Sequence, residues 1–275
     1  MNLHFKRNVF ISYILTIIFI LWSVAMFFSG ARETIANNLY AIYAIIYLIA
    51  GIWGIIYSRK IERGIIHSAL NYWGVSLIFY SIALFIQTYY VTFIGQEFYP
   101  SIADWFFFAH IVFLFIGSFY VLKIYINGIG LKHIIGGMIG ILLSGFVTYR
   151  YFGVPEFGVE DSTFWIDFFN SFYVLTGFLS MLLIILILIF AGGKIFKGLV
   201  YFVLGIATQT LGDILFITRY EAGTFWAGDI SDIIYVISGL LYALAVIYTA
   251  QGFLSKKREQ ISTAQIQTED NVNLQ

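Results

Sequence analysis

YPSIADWFFFAHIVFLFIGSFYVL at 99–122 and AGDISDIIYVISGLLYALAVIYT at 227–249 are two versions of one stretch. Each opens with turn-forming residues, reaches an aspartate (Asp104, Asp232) and passes directly into a long apolar run. They align without a gap at a shift of 128 positions, which sets Tyr99 on Ala227, Pro100 on Gly228, Asp104 on Asp232, Phe107 on Tyr235 and Tyr120 on Tyr248. The same shift sets Gly95 on Gly223 and Trp73 on Tyr201. A fixed internal period marks a duplicated structural unit. The expected architecture is all-α: a first four-helix half over 1–128, a second over 129–254, and a disordered tail over 255–275.

Composition places those halves in a bilayer. Hydrophobic residues make up 60% of the chain and charged residues 11%, against about 45–50% and 25% for a soluble domain. Cysteine is absent, which excludes disulfides, thiolate metal sites, iron–sulfur clusters and a catalytic thiol. The formal net charge is zero, so nothing points to nucleic acid. The two prolines, Pro100 and Pro155, lie outside the apolar runs.

Eight such runs approach the length of about 20 residues that a helix needs to span a membrane. They cover 9–29, 35–57, 65–90, 103–126, 131–149, 164–190, 198–218 and 230–254. None alternates as a barrel strand would, and backbone in lipid must satisfy its own polar groups, so each is expected to be a helix. Lys6 and Arg7 precede the first run, but it is too long for a signal-peptide core and reads as a spanning helix.

Loop charge sets the expected direction. With the N-terminus inside, Lys6, Arg7, Arg59, Lys60, Arg63, Lys123, Lys132, Lys194, Lys197, Lys256, Lys257 and Arg258 are cytoplasmic, twelve of the fifteen basic residues. Arg32, Arg150 and Arg219 fall outside, together with most of the acids. The expectation is a multi-pass protein of the cell membrane with both termini cytoplasmic. Four is even, so the halves run parallel about a pseudo-twofold axis along the membrane normal. The outer connections at 91–102, 150–163 and 219–229 are aromatic, glycine-bearing and acidic. The tail after Leu254 is polar and mixed in charge, hence the expected disorder.

Candidate site residues fall into two groups. Ser101 with Asp104, and Asp229 with Asp232, have capping-box spacing at a helix start, and their negative charge suits the helix dipole. They also form the rim of any pocket open to the outside. Asp213 lies within the seventh run, where an acid is costly and therefore a functional candidate. It precedes Arg219 by six residues, about 9 Å of helix, and Gln209 is one turn away on the same face. His110 follows Asp104 by the same six residues, which places it at a similar depth. Gln87, Asn170, Asn37 and Asn38 fall in the same outer third. Two readings fit Asp213 and His110: a buried hydrogen-bonded pair that docks the halves, or a polar pocket for a small ligand or proton.

No cofactor or metal is expected. HExxH, a phosphate loop and metal-spaced carboxylate–histidine clusters are missing from the sequence. His4, His67 and His133 lie near the inner surface, away from His110, and no lysine lies mid-run for a retinal Schiff base. Ala50 with Gly54, Gly136 with Gly140 and Ser144, and Gly239 with Ala243 make small-residue stripes for close helix packing.

The stretches 99–122 and GDILFITRYEAGTFWAGDISDIIYVISGLLYALA at 212–245 resemble the polytopic membrane sensor regions found ahead of histidine kinase and diguanylate cyclase domains. Asp213 with Phe216, the segment from Gly223 to Gly228, and Asp232 match that pattern. The chain departs from it in having only a short polar segment after the eighth run, without kinase or cyclase motifs. The resemblance implies a non-catalytic sensor-like or accessory membrane protein that acts through a protein partner in the bilayer. A small-solute or proton-coupled transporter is the alternative, and an intramembrane lipid-processing enzyme the second.

Overall fold

The computed structural model describes residues 3–29, 42–95, 100–123, 197–222, 224, 226 and 228–273, together with Leu179, Leu182 and Leu186. All regular structure among these residues is helical. The helices are α1 (Leu3–Ser29), α2 (Ala44–Ser58), α3 (Ile65–Tyr89), α4 (Ile102–Lys123), α5 (Lys197–Glu221) and α6 (Ile230–Asn273). Five contain segments long and apolar enough to cross a membrane: His4–Ser29, Ile65–Ile94, Ile102–Lys123, Lys197–Phe216 and Ile230–Ser255. The described part of the second expected span is shorter, a 15-residue helix over Ala44–Ser58. The fifth and sixth expected spans, 131–149 and 164–190, lie outside the described residues apart from the three leucines.

Helix ends follow local chemistry. At α4, Ser101 Oγ accepts from Ala103 N at 3.1 Å and Asp104 Oδ2 accepts from Ser101 N at 2.7 Å. At α6, Asp229 Oδ1 accepts from Ser231 N at 2.8 Å and Asp232 Oδ2 accepts from Gly228 N at 2.6 Å. Each pair satisfies otherwise open N–H groups of a first turn. The two helices begin at Ile102 and Ile230, 128 positions apart. α3 loosens into a π-helical turn over Tyr90–Ile94 and stops at Gly95, whose φ of 71° lies in the left-handed region that glycine enters without a steric penalty.

α6 does not stop at the apolar boundary. It continues to Asn273, so the segment expected to be a disordered tail is helical as far as that residue. The physical reason is that 255–273 contains no glycine or proline, and extending an existing helix avoids the cost of nucleating a new one.

α6 is the axis of the described bundle. α2 and α5 pack along it and α1 lies against it, while α3 packs on α2 and α4 on α3. The apolar window of α6 is 67% buried, against 28–39% for the other four spans. α2 and α3 meet through glycine backbone: a Cβ on Gly74 would stand 2.7 Å from Gly51 O and 2.9 Å from Ile55 N. Close approach of this kind is how helices gain dispersion contact in lipid, where no hydrophobic force draws them together. Trp73 of α3 stacks on Phe202 of α5, with ring centroids 3.9 Å apart. α1 turns Asn8, Ser12, Thr16 and Ser23 inward and Phe10, Ile14, Ile17, Leu21 and Phe28 outward. Asn8 donates to the Tyr57 hydroxyl at 2.6 Å, and the Ser23 hydroxyl donates to Gly228 O at the start of α6.

Candidate functional site

The seam between α5 and α6 is built by glycines seven residues apart. A Cβ on Gly212 would sit 2.8 Å from the Tyr235 ring, one on Gly205 would sit 3.1 Å from the Tyr242 ring, and one on Gly198 would collide with Thr249. Bare backbone at these positions lets the two tyrosine rings lie against α5. Their hydroxyls then reach acceptors on that helix. Tyr235 Oη donates to Asp213 Oδ1 at 2.7 Å, and Tyr242 Oη donates to Gln209 Oε1 at 2.7 Å.

The Tyr242 bond fixes the amide of Gln209. Its nitrogen therefore faces His110 of α4, with Nε2 to Nε2 at 3.3 Å. Only one tautomer suits this. His110 Nε2 accepts from the amide, so Nδ1 carries the proton, and it lies 3.0 Å from Ser76 O and 2.8 Å from Ser76 Oγ. Ser76 Oγ donates in turn to His110 O at 2.9 Å. His110 is buried, with both ring nitrogens held by uncharged groups. Tyr80 packs on it at 4.8 Å between ring centroids, and Tyr47 packs on Tyr80 at 4.5 Å. Tyr47 Oη closes the circuit by donating to Tyr235 O at 2.6 Å. Five helices, α2 to α6, thus contribute to one buried aromatic and polar cluster.

Of the two readings for Asp213 and His110, the one that pairs them directly differs from the observed contacts. α4 and α5 do meet, but the residue of α5 that reaches His110 is Gln209, one turn from Asp213. Asp213 turns to Tyr235 because the ring lies across Gly212, next to it in sequence. Gln87 is exposed on α3 and stands apart from the cluster. Asn170, Asn37, Asn38 and His133 lie outside the described residues. His67 Nδ1 is 2.8 Å from Ser58 O, a contact between the end of α2 and the start of α3. The rim residues Ser101, Asp104, Asp229 and Asp232 serve as caps, and Asp229 also pairs with Arg219 at 2.5 Å. Arg219 further donates to Thr224 O at 3.1 Å, which ties the end of α5 to the loop before α6. Tyr47, Tyr80, Tyr235 and Tyr242 are not among the expected site residues, because a tyrosine in an apolar run is as common at a membrane interface as in a buried cluster. The seven-residue spacing of Gly198, Gly205 and Gly212 was the available signal.

Asp213 is only partly buried. Its Oδ1 is engaged by Tyr235, and among the described residues no Lys, Arg or His forms an ion pair with it. No group of three or more metal-ligating side chains occurs among the described residues. No family model matches the chain, and neither curated proteins nor solved structures provide a match.

Proposed function

We propose that the protein is a non-catalytic, sensor-like membrane module. It receives a small ligand at the Asp213–Tyr235 end of the cluster and acts on a protein partner through α6. The observation that carries this reading is the continuity of α6. One helix holds Tyr235 and Tyr242 in the cluster and then runs to Asn273. Its 44 residues span about 66 Å at 1.5 Å each, roughly twice the thickness of a hydrocarbon core. A rigid element of that length turns a repacking of the tyrosines into a displacement beyond the bilayer.

The full arrangement we propose is eight spans in two parallel halves, with both termini cytoplasmic and the Asp213 end of the cluster facing outward. Support comes from the matching caps at Ile102 and Ile230 and from the seam positions. Shifted by 128, Gly198, Gly205 and Gly212 fall on Leu70, Leu77 and Leu84, all three buried on α3. Loop charge supports the direction.

Purification of the intact chain in mild detergent, followed by mass spectrometry of what stays bound, tests the reading. The expected result is a stoichiometric protein partner that is lost when Ala264→Pro interrupts α6, since proline removes a helical hydrogen bond and clashes with the preceding turn. A partner that ignores this break, or a lone protein that drives solute uptake into proteoliposomes, would overturn it.

A further inference from the structure

The chemistry of the site narrows the ligand, given the reading that a ligand binds there. We infer that Asp213 is the anchor for a protonated organic amine, held between the carboxylate and the tyrosines of α2, α3 and α6.

Three observations converge. First, Asp213 gives one carboxylate oxygen to Tyr235, the residue is part-buried, and among the described residues no cation pairs with it. Arg219 is committed to Asp229 and Thr224, and His110 to Ser76 and Gln209. A carboxylate inside a membrane helix is costly unless it takes up a proton or meets a counter-charge, and a protonated amine supplies the second. Second, the neighbouring groups are tyrosines whose hydroxyls are already bonded, Tyr47 to Tyr235 O, Tyr235 to Asp213 and Tyr242 to Gln209. The Tyr47 ring lies 4.5 Å from that of Tyr80 and 6.2 Å from that of Tyr242. Tyrosine faces attract ammonium groups, whereas hard metal ions require six or more oxygen ligands.

Third, the polar set is not needed for packing the helix pair. Shifted by 128, Asp213, Tyr235 and Tyr242 fall on Phe85, Phe107 and Leu114. α3 and α4 pack closely with those apolar residues in the corresponding places. The half that carries Asp213 therefore departs from its counterpart at the positions that would meet a cation.

The test is saturable binding to the purified full chain, with butylammonium as probe and butanol as its neutral counterpart. The wild type should bind butylammonium and not butanol. Asp213→Asn should weaken it by about tenfold or more, the loss of one charge-assisted contact. Tyr235→Phe should weaken it less while keeping the ring on Gly212, and Phe85→Leu should leave it unchanged. Equal binding of both probes, no binding of butylammonium, or full binding by Asp213→Asn would overturn the amine assignment. Mass spectrometry of co-purified small molecules separates that failure from failure of the site itself. A neutral or anionic molecule lost in Asp213→Asn leaves the site standing with a different ligand, whereas identical content in both proteins removes the site as well.

Discussion

Gln209 holds Tyr242 with its amide oxygen at 2.7 Å and faces His110 with its amide nitrogen at 3.3 Å, so one side chain of α5 joins α4 to α6. Replacement by leucine leaves a buried phenol and a buried imidazole nitrogen without partners. The expected cost is about 1–3 kcal/mol for these orphaned groups. It is read as a lower midpoint in thermal or denaturant unfolding of the detergent-solubilised chain. A leucine variant as stable as wild type would show that the bridge contributes nothing.

Gly74 and Gly252 make opposite predictions for the same substitution. A methyl on Gly74 meets backbone atoms of α2 at 2.7 and 2.9 Å, which move only if the whole helix moves. Gly74→Ala should destabilise by about 1–3 kcal/mol, the usual scale of overpacking. Gly252 has nothing within 4 Å, so Gly252→Ala should be neutral or slightly stabilising through helix propensity. Equal unfolding midpoints for the two variants would contradict the packing described for α2 and α3.

Asp229 serves two partners, and two substitutions separate them. Asn retains a capping oxygen and removes the charge opposite Arg219, whose side chain is 33% exposed. The Asp229 side chain is itself only 1% exposed, so the pair lies between the surface and buried cases, and Asp229→Asn should cost about 1 kcal/mol, an effect that shrinks with added salt. Asp229→Ala also removes the cap and should cost about 0.5–2 kcal/mol more. If Asn proves as damaging as Ala, the ion pair rather than the cap secures the start of α6.

Much of the helical framework is readable from the chain because its signals are local. The starts of α4 and α6 are written in Ser101 to Asp104 and Asp229 to Asp232, and the structure places the helices there. The stop of α3 near Gly95 is equally local. Facing is not readable, because exposed Ile14 and Ile17 and buried Leu70 and Leu77 are all aliphatic. For that reason Asp213 stood out as an intramembrane acid while its partner Tyr235, 22 residues on, did not. The helical state of 255–273 escaped the reading for a different cause: polar composition signals solvent, and solvent admits both coil and helix.

The central place of α6 has a consequence for the order in which the protein is assembled. Among the described helices the one most enclosed by the others is made last, so α1, α2 and α5 enter the bilayer before the helix they pack against exists. Most of the buried hydroxyls on the earlier helices are prepared for the interval. Ser12 and Thr16 bond to carbonyls one turn back, at 3.0 and 2.9 Å, and Thr88, Ser118 and Thr210 do the same. The Ser76–His110 contacts form within the α3–α4 pair. Gln209 and Asp213 are different, since their tyrosine partners lie on α6. They sit on the helix made immediately before it, and only nine residue steps separate Glu221 from Ile230. The groups least able to wait in lipid are the ones with the shortest wait.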